Sequence, residues 1–220
     1  MSVVVITGAN RGIGLELCRQ LNARGDRVIA ACRSSNGELA AINGLEIVDG
    51  VDVSQESGAD ALSAAVGDRK VDILINNAGI LQGDSLETVN YESMLEQFRV
   101  NALGPLRITR ALLGNLAAGS KVAIVTSRVG SIADNGSGNN YGYRTSKTAV
   151  NMIGANLKHD LAQHDIAVVL LHPGLVATDM TGGNGISPVD SATGLIARID
   201  QLDSNNSGQF LHAEGYELPW

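Results

Sequence analysis

The sequence predicts an α/β protein, a doubly wound parallel sheet with helices on both faces. Two observations carry that expectation. Short apolar runs near residues 3–7, 27–32, 45–49, 71–75, 120–126, 166–172 and 208–212 alternate with longer helical patterns, and such alternation builds βαβ units. Hydrophobic residues make up 44% of the chain and aromatics only 3%, so the core is aliphatic, as it is where strands are buried on both faces. A length of 220 residues fits one domain, so residues 1–220 are read as a single unit. Crossovers in such a sheet are right-handed, and its ligand crevice lies beyond the carboxyl ends of the strands.

The elements follow in order. Val3-Val4-Val5-Ile6 is a strand that runs into a glycine turn. Leu15, Leu17, Cys18 and Leu21 then repeat at helical spacing, and Gly25 stops that helix before the second strand. Between Ser34 and Leu45 there is room for only a brief helix. Asp134–Asn140, Thr181–Pro188 and Asp203–Gly208 are rich in Gly, Asn and Ser and read as loops. The first two follow strands on the ligand side.

Composition excludes several classes of function. The net charge is −7 with no basic run, which argues against nucleic acid or an anionic membrane as partner. No stretch approaches the roughly 18 apolar residues of a membrane span. Cys18 and Cys32 form no disulfide framework, and His159, His164, His172 and His212 are scattered without metal-ligand spacing. The first strand begins too early to leave room for a signal peptide. These features point to a cytoplasmic protein acting on small molecules.

Two motifs carry chemistry. Thr7-Gly8-Ala9-Asn10-Arg11-Gly12-Ile13-Gly14 links the first strand to the first helix. Glycines there let the backbone approach a pyrophosphate, which the helix N-terminus stabilises. Tyr143-Arg144-Thr145-Ser146-Lys147 places a phenol and an ammonium on one helix face. The cation is expected to lower the phenol's pKa, so that the tyrosine can exchange a proton with a carbonyl or alcohol oxygen.

Together these motifs resemble the short-chain dehydrogenase/reductase family. Asn76-Asn77-Ala78-Gly79 after the fourth strand, Asn101 in the next helix, Ser127 at the end of the fifth strand and His172-Pro173-Gly174 at the end of the sixth add to the resemblance. Within the family the chain is most similar to carbonyl reductases of the C-factor or Sniffer type. The resemblance implies a Rossmann-like sheet with strand order 3-2-1-4-5-6-7. It also implies roles: Tyr143 as general acid/base, Ser127 as donor to the substrate oxygen, Lys147 on the nicotinamide ribose, and Asn101 positioning a water that links Lys147 to solvent. Ser131 is an alternative to Ser127, but Ser127 aligns at the strand end and a loop hydrogen bond suits Ser131 better. Gly8, Asn10, Arg11, Gly12, Ile13 and Gly14 would hold the dinucleotide's phosphates. Asp52 would bind adenine, Val53, Asn77, Ala78 and Gly79 would also contact the cofactor, and Pro173, Gly174, Val176 and Thr178 belong to the segment that would face the nicotinamide.

Charge then favours NADP(H) over NAD(H). Cys32-Arg33 occupies the place after the second strand where a carboxylate would repel a phosphate, and Arg33 with Arg11 is suited to a 2′-phosphate. The expected reaction is reversible reduction of a small ketone or aldehyde. A dinucleotide-binding signalling protein with little turnover is the alternative. Relatives pair through the helices carrying Asn101 and Tyr143, which implies a homodimer or homotetramer.

Overall fold

A computed structural model describes all 220 residues. Seven strands form one parallel sheet in the order β3-β2-β1-β4-β5-β6-β7. They are β1 (Val3–Thr7), β2 (Arg27–Ala31), β3 (Glu46–Val48), β4 (Val71–Asn76), β5 (Leu116–Val125), β6 (Ala167–His172) and β7 (Phe210–His212). The α-helices are α1 (Gly12–Ala23), α2 (Gly37–Ala40), α3 (Glu56–Val66), α4 (Tyr91–Phe98), α5 (Gly104–Ala111), α6 (Tyr141–Ala162) and α7 (Pro188–Gln201). The order reverses between β1 and β4, so the ligand crevice of such a sheet opens above that pair.

Alternation along the strands builds two cores. Val4 and Ile6 of β1, with Ala167, Val169 and Leu171 of β6, pack on Leu17 and Leu21 of α1 and on Leu195 and Ile199 of α7. Val5 and Val168 face the other way, against Leu62 of α3, Ile108 of α5, and Val150 and Leu157 of α6. The central strands thus contribute side chains to both layers, which explains their near-continuous aliphatic runs, while Phe210 of β7 packs in a small separate cluster with Leu170 and Leu218. Truncating a fully buried member such as Leu17 to Ala costs about 3 kcal/mol.

Element boundaries differ from the sequence reading in three informative places. β5 starts at Leu116, ahead of the expected 120, because the chain pairs with Val71 before a register irregularity and resumes at Ile73↔Lys121. Pro188, expected in a loop, opens α7, where its missing N–H costs nothing and the Ser187 hydroxyl accepts from the Asp190 N–H. Asn101 does not lie in a regular α-helix but in a π-helical turn, Arg99–Leu103, between α4 and α5. Pro105 has no N–H to offer the Asn101 carbonyl, and the helix widens just before it.

Candidate active site

The turn from β1 to α1 is built for close backbone approach. Gly8 and Gly12 have φ of +65° and +53°, conformations that glycine adopts without strain. A Cβ on Gly14 would lie 2.2 Å from the Gly8 carbonyl oxygen, and one on Gly8 would lie 2.8 Å from the Ala78 Cα. α1 therefore begins flush against the turn, with its first amides free to face an anion. These residues fit a dinucleotide's pyrophosphate.

Neighbouring loops brace this cradle. The Thr7 hydroxyl accepts from the N–H groups of Asn77 (3.1 Å) and Ala78 (3.2 Å). Asn77 Nδ2 donates to the carbonyls of Thr7 (3.0 Å) and Gly8 (3.2 Å). Asn77 is thus a brace for the glycine turn, and Thr7, which opens the motif but is given no role by the sequence, is a positioning residue. Asn10 Nδ2 donates to the Ser34 carbonyl and Asn36 Nδ2 to the Asn10 carbonyl, both at 2.8 Å, which ties the turn to the loop after β2. Ile13 packs against the first core. Asp52 receives the Ser54 N–H at 2.9 Å, while the Val53 carbonyl accepts from Arg107 at 2.6 Å.

At the end of β2 the charges differ from those the sequence predicts. Arg33 is exposed and makes no ion pair, but Arg11 is drawn to Asp179 at 3.6 Å. A carboxylate does stand beside Cys32, delivered from the end of β3. Asp49 accepts from the Ser35 N–H (2.6 Å), the Ser35 hydroxyl (2.9 Å) and the Cys32 thiol (3.6 Å). The Ser35 bonds hold its pKa below the usual carboxylate range. β3 lies next to β2, so their carboxyl ends meet although seventeen residues separate Cys32 from Asp49.

On the far side of the crevice, α6 carries Tyr143 and Lys147 beside the end of β5. Asp84 caps this helix, its carboxylate accepting from the N–H groups of Tyr141 and Gly142. Gly130 fits directly under the Lys147 backbone, where a Cβ would come within 2.7 Å. Lys147 Nζ donates to the Val125 carbonyl at 3.0 Å and lies 5.7 Å from the centre of the Tyr143 ring. The Ser127 hydroxyl accepts from the Val129 N–H at 3.4 Å and neighbours the Tyr143 phenol. Ser131 instead donates to the Trp220 carbonyl at 3.2 Å, the loop hydrogen bond expected of it.

Asn101 closes the group. Its Oδ1 accepts from the Ile80 N–H (2.8 Å), and its Nδ2 donates to the Ile80 carbonyl (2.8 Å) and the Ser146 hydroxyl (3.0 Å). A Cβ on Gly79 would meet Asn101 Oδ1 at 3.3 Å and Lys147 Nζ at 3.7 Å. Glycine there leaves the space in which those two groups converge.

Burial sets the protonation of the pair. It pushes the Tyr143 phenol up to about 12, with the Ser127 contact pulling slightly the other way. It pushes Lys147 down to about 8. The phenol is thus raised by desolvation and not lowered as expected from Lys147, whose ammonium lies 5.7 Å from the ring centre. His172, stacked edge-on at 5.0 Å from His212, is held neutral, its pKa lowered to about 4 chiefly by burial.

The segment after β6, which the resemblance assigns to the nicotinamide, turns polar groups inward. The Pro173 carbonyl accepts from Ser191 (2.8 Å), Gly174 has a φ of +87°, and Val176 bridges to Ile186. The Val176 carbonyl accepts from Thr181 at 2.6 Å and from the Thr178 hydroxyl at 3.5 Å.

A parallel sheet with a phosphate cradle at its switch point and a Tyr/Lys/Ser/Asn group across the crevice defines a dinucleotide-dependent oxidoreductase architecture. Residues 2–186 match the family described as short chain dehydrogenase, and the chain belongs to that family. It is 43% identical over its whole length, and over the whole of the relative, to 1-hydroxy-2-glutathionyl-2-methyl-3-butene dehydrogenase of Rhodococcus sp. (strain AD45). It is 46% identical to C-signal of Myxococcus xanthus over 154 residues, which cover 68% of this chain and 93% of that protein. Among solved structures, NADPH-bound carbonyl reductase from chicken fatty liver superposes with a TM-score of 0.92 at 29% identity, covering 100% of this chain and 99% of that one. Carbonyl reductase Sniffer of D. melanogaster gives 0.91 at 28%, with both chains fully covered. The chain is an oxidoreductase of the short-chain dehydrogenase family.

Proposed function

We propose that this protein uses NADP(H) to reduce a ketone or aldehyde to the alcohol, reversibly, with Tyr143 as the proton donor. The observation that carries the reading is the convergence of Tyr143, Ser127 and Lys147 across the crevice from the β1–α1 cradle. Gly8, Asn10, Gly12, Ile13 and Gly14 would hold the phosphates, Asp52 and Val53 the adenine side, Asn77–Gly79 the ribose side, and Pro173, Gly174, Val176 and Thr178 the nicotinamide side. The bound cofactor supplies the hydride.

The chain's own residues handle the oxygen. A carbonyl gaining a hydride builds negative charge on its oxygen, and the hydroxyls of Tyr143 and Ser127 are placed to donate to it. Tyr143 then passes its proton to that oxygen. Lys147 neighbours the resulting phenolate and stabilises it, and the gap at Gly79 lets a water connect Lys147 with Asn101. Preference for NADP(H) rests on the unpaired Arg33, opposed by Asp49. The glutathionyl alcohol in the Rhodococcus relative's name makes thioether-bearing alcohols and aldehydes worth including among trial substrates.

The test is a cofactor-oxidation assay over a carbonyl panel with wild type and Tyr143→Phe. The variant is expected to lose roughly a hundredfold or more in kcat while still binding NADPH. Unchanged turnover would refute the assignment. Identity with C-signal favours a second reading, in which the chain binds a dinucleotide for a signalling role with little turnover; a silent panel with intact NADPH binding would support it. Two free buried cysteines support a reducing, cytoplasmic setting. Tyr91, Leu95 and Phe98 of α4 and Met152 of α6 are exposed and support pairing as a homodimer or homotetramer through that face.

A further inference from the structure

The segment that follows β4 is fastened at every second residue. Ile80 engages the side-chain amide of Asn101 through both its N–H and its carbonyl, each at 2.8 Å. Gln82 does the same with Gln97: its N–H donates to Gln97 Oε1 at 3.1 Å, and its carbonyl accepts from Gln97 Nε2 at 3.2 Å. Asp84 then holds the start of α6, its carbonyl accepting from the Asn140 N–H at 2.8 Å and its carboxylate from the N–H groups of Tyr141 and Gly142. Asn140 itself is left-handed, with φ of +51°, and offers no side-chain cap. The first turn of α6 therefore takes its hold from this strap.

Gln97 is the one buried residue of α4 and is fully withdrawn from water. A polar side chain in that position must have its bonds made inside the protein. Its Nε2 also lies against α6, where a Cβ on Gly142 would come within 2.5 Å of it. Gly142 directly precedes Tyr143. One amide thus touches both the strap that caps α6 and the backbone that carries the phenol. We propose that Gln97 is a positioning residue, which locks the Ile80–Asp84 strap to the Gly142 turn and so sets where the Tyr143 hydroxyl stands beside Ser127. The proposal rests on the carbonyl-reductase reading and adds a residue on which its geometry depends.

The experiment replaces Gln97 by Met, which keeps the length of the side chain but makes neither bond to Gln82. Carbonyl turnover and NADPH affinity are measured with and without Tyr143→Phe. With Tyr143 present the substitution is expected to lower kcat roughly tenfold or more, as small displacements of a reacting group do, while NADPH affinity stays within about twofold. In the Tyr143→Phe background it should cost less than about twofold, because the hydroxyl it positions is already gone. An unchanged kcat with Tyr143 present, or an equal loss in both backgrounds, overturns the proposal; the equal loss is what a merely structural role would give. If the methionine variant does not fold, Gly142→Ala decides, since it presses on the same contact from α6 with a residue that suits a helix. The same pattern across the two backgrounds supports the proposal, and an unchanged kcat or an equal loss overturns it. If wild type reduces nothing on the panel, the reductase reading fails separately. Hydrogen exchange then judges the contact alone: exchange in Gln97→Met that quickens at Tyr141–Arg144 but not in α1 supports it, whereas equal quickening in both, or none, overturns it.

Discussion

Replacing Lys147 by Met is expected to make stability less dependent on pH in a narrow alkaline window. Burial lowers the Lys147 pKa from 10.5 to about 8. Because the folded value is depressed, the native state disfavours the charged form: the stabilising contribution is complete above pH 10.5 and is lost as the pH falls through 8. At 1.36 kcal/mol per pH unit the full span is about 3 kcal/mol. Between about pH 7 and about pH 9.5 the wild type should recover roughly 2 kcal/mol of it. The methionine variant carries no such charge, although it leaves the Val125 carbonyl without its donor, a loss that does not vary with pH. Cys18 and Cys32, whose pKa values burial raises to about 12 and about 11, titrate in both proteins and cancel in the difference. Urea unfolding of both proteins at the two pH values measures the effect. A stability difference that stays constant between them would show that the ammonium keeps its hydration in the folded state and would refute the desolvation argument.

Three further outcomes are expected. Gly14→Ala forces a methyl to within 2.2 Å of the Gly8 carbonyl oxygen, so dinucleotide affinity measured by fluorescence titration should fall more than about tenfold as the turn is displaced. Asp84→Ala removes the cap of α6 and should cost about 1 to 2 kcal/mol in urea unfolding, with kcat falling as the Tyr143 turn loosens. Asp49→Asn removes a negative charge beside the place for a 2′-phosphate, so the ratio of NADPH to NADH affinity should rise severalfold at low salt and less at high salt; an unchanged ratio would mean that Asp49 does not face the cofactor.

Much of this architecture is legible in the sequence because it depends on local pattern. All seven strands overlap the aliphatic runs that predict them, since strands buried on both faces read as near-continuous apolar stretches. The glycine turn and the Tyr/Lys pair are local too. What escaped depends on which strand lies beside which. Asp49 is seventeen residues from Cys32 and becomes its neighbour only because β3 is next to β2, although the expected strand order contained that signal. Asp84 caps a helix that begins 57 residues later, and no spacing announces it. The π-turn at Asn101 has a visible cause in Pro105, but a missing N–H shows only that a bond is lost, not how the helix will adjust.

The pKa of Tyr143 is the point at which sequence and structure diverge most usefully. A tyrosine lowered towards neutrality by Lys147 would serve both directions of the reaction alike. The structure holds the phenol at about 12, so ionising it at pH 7 costs about 7 kcal/mol. Taking a proton from an alcohol carries that cost, whereas giving one to an oxygen that is becoming an alkoxide, a far stronger base than this phenolate, is downhill. Lys147, with its pKa near 8, remains mostly cationic at neutral pH and can stabilise the phenolate once the proton has left. On the proposed mechanism, dehydrogenation would need further positive charge beside the phenol or an alkaline pH, whereas reduction would use the pair as it stands. The same burial that makes Lys147 a liability for stability also raises the Tyr143 phenol, so on the proposed mechanism the pH dependence of unfolding and that of proton transfer would share one physical cause.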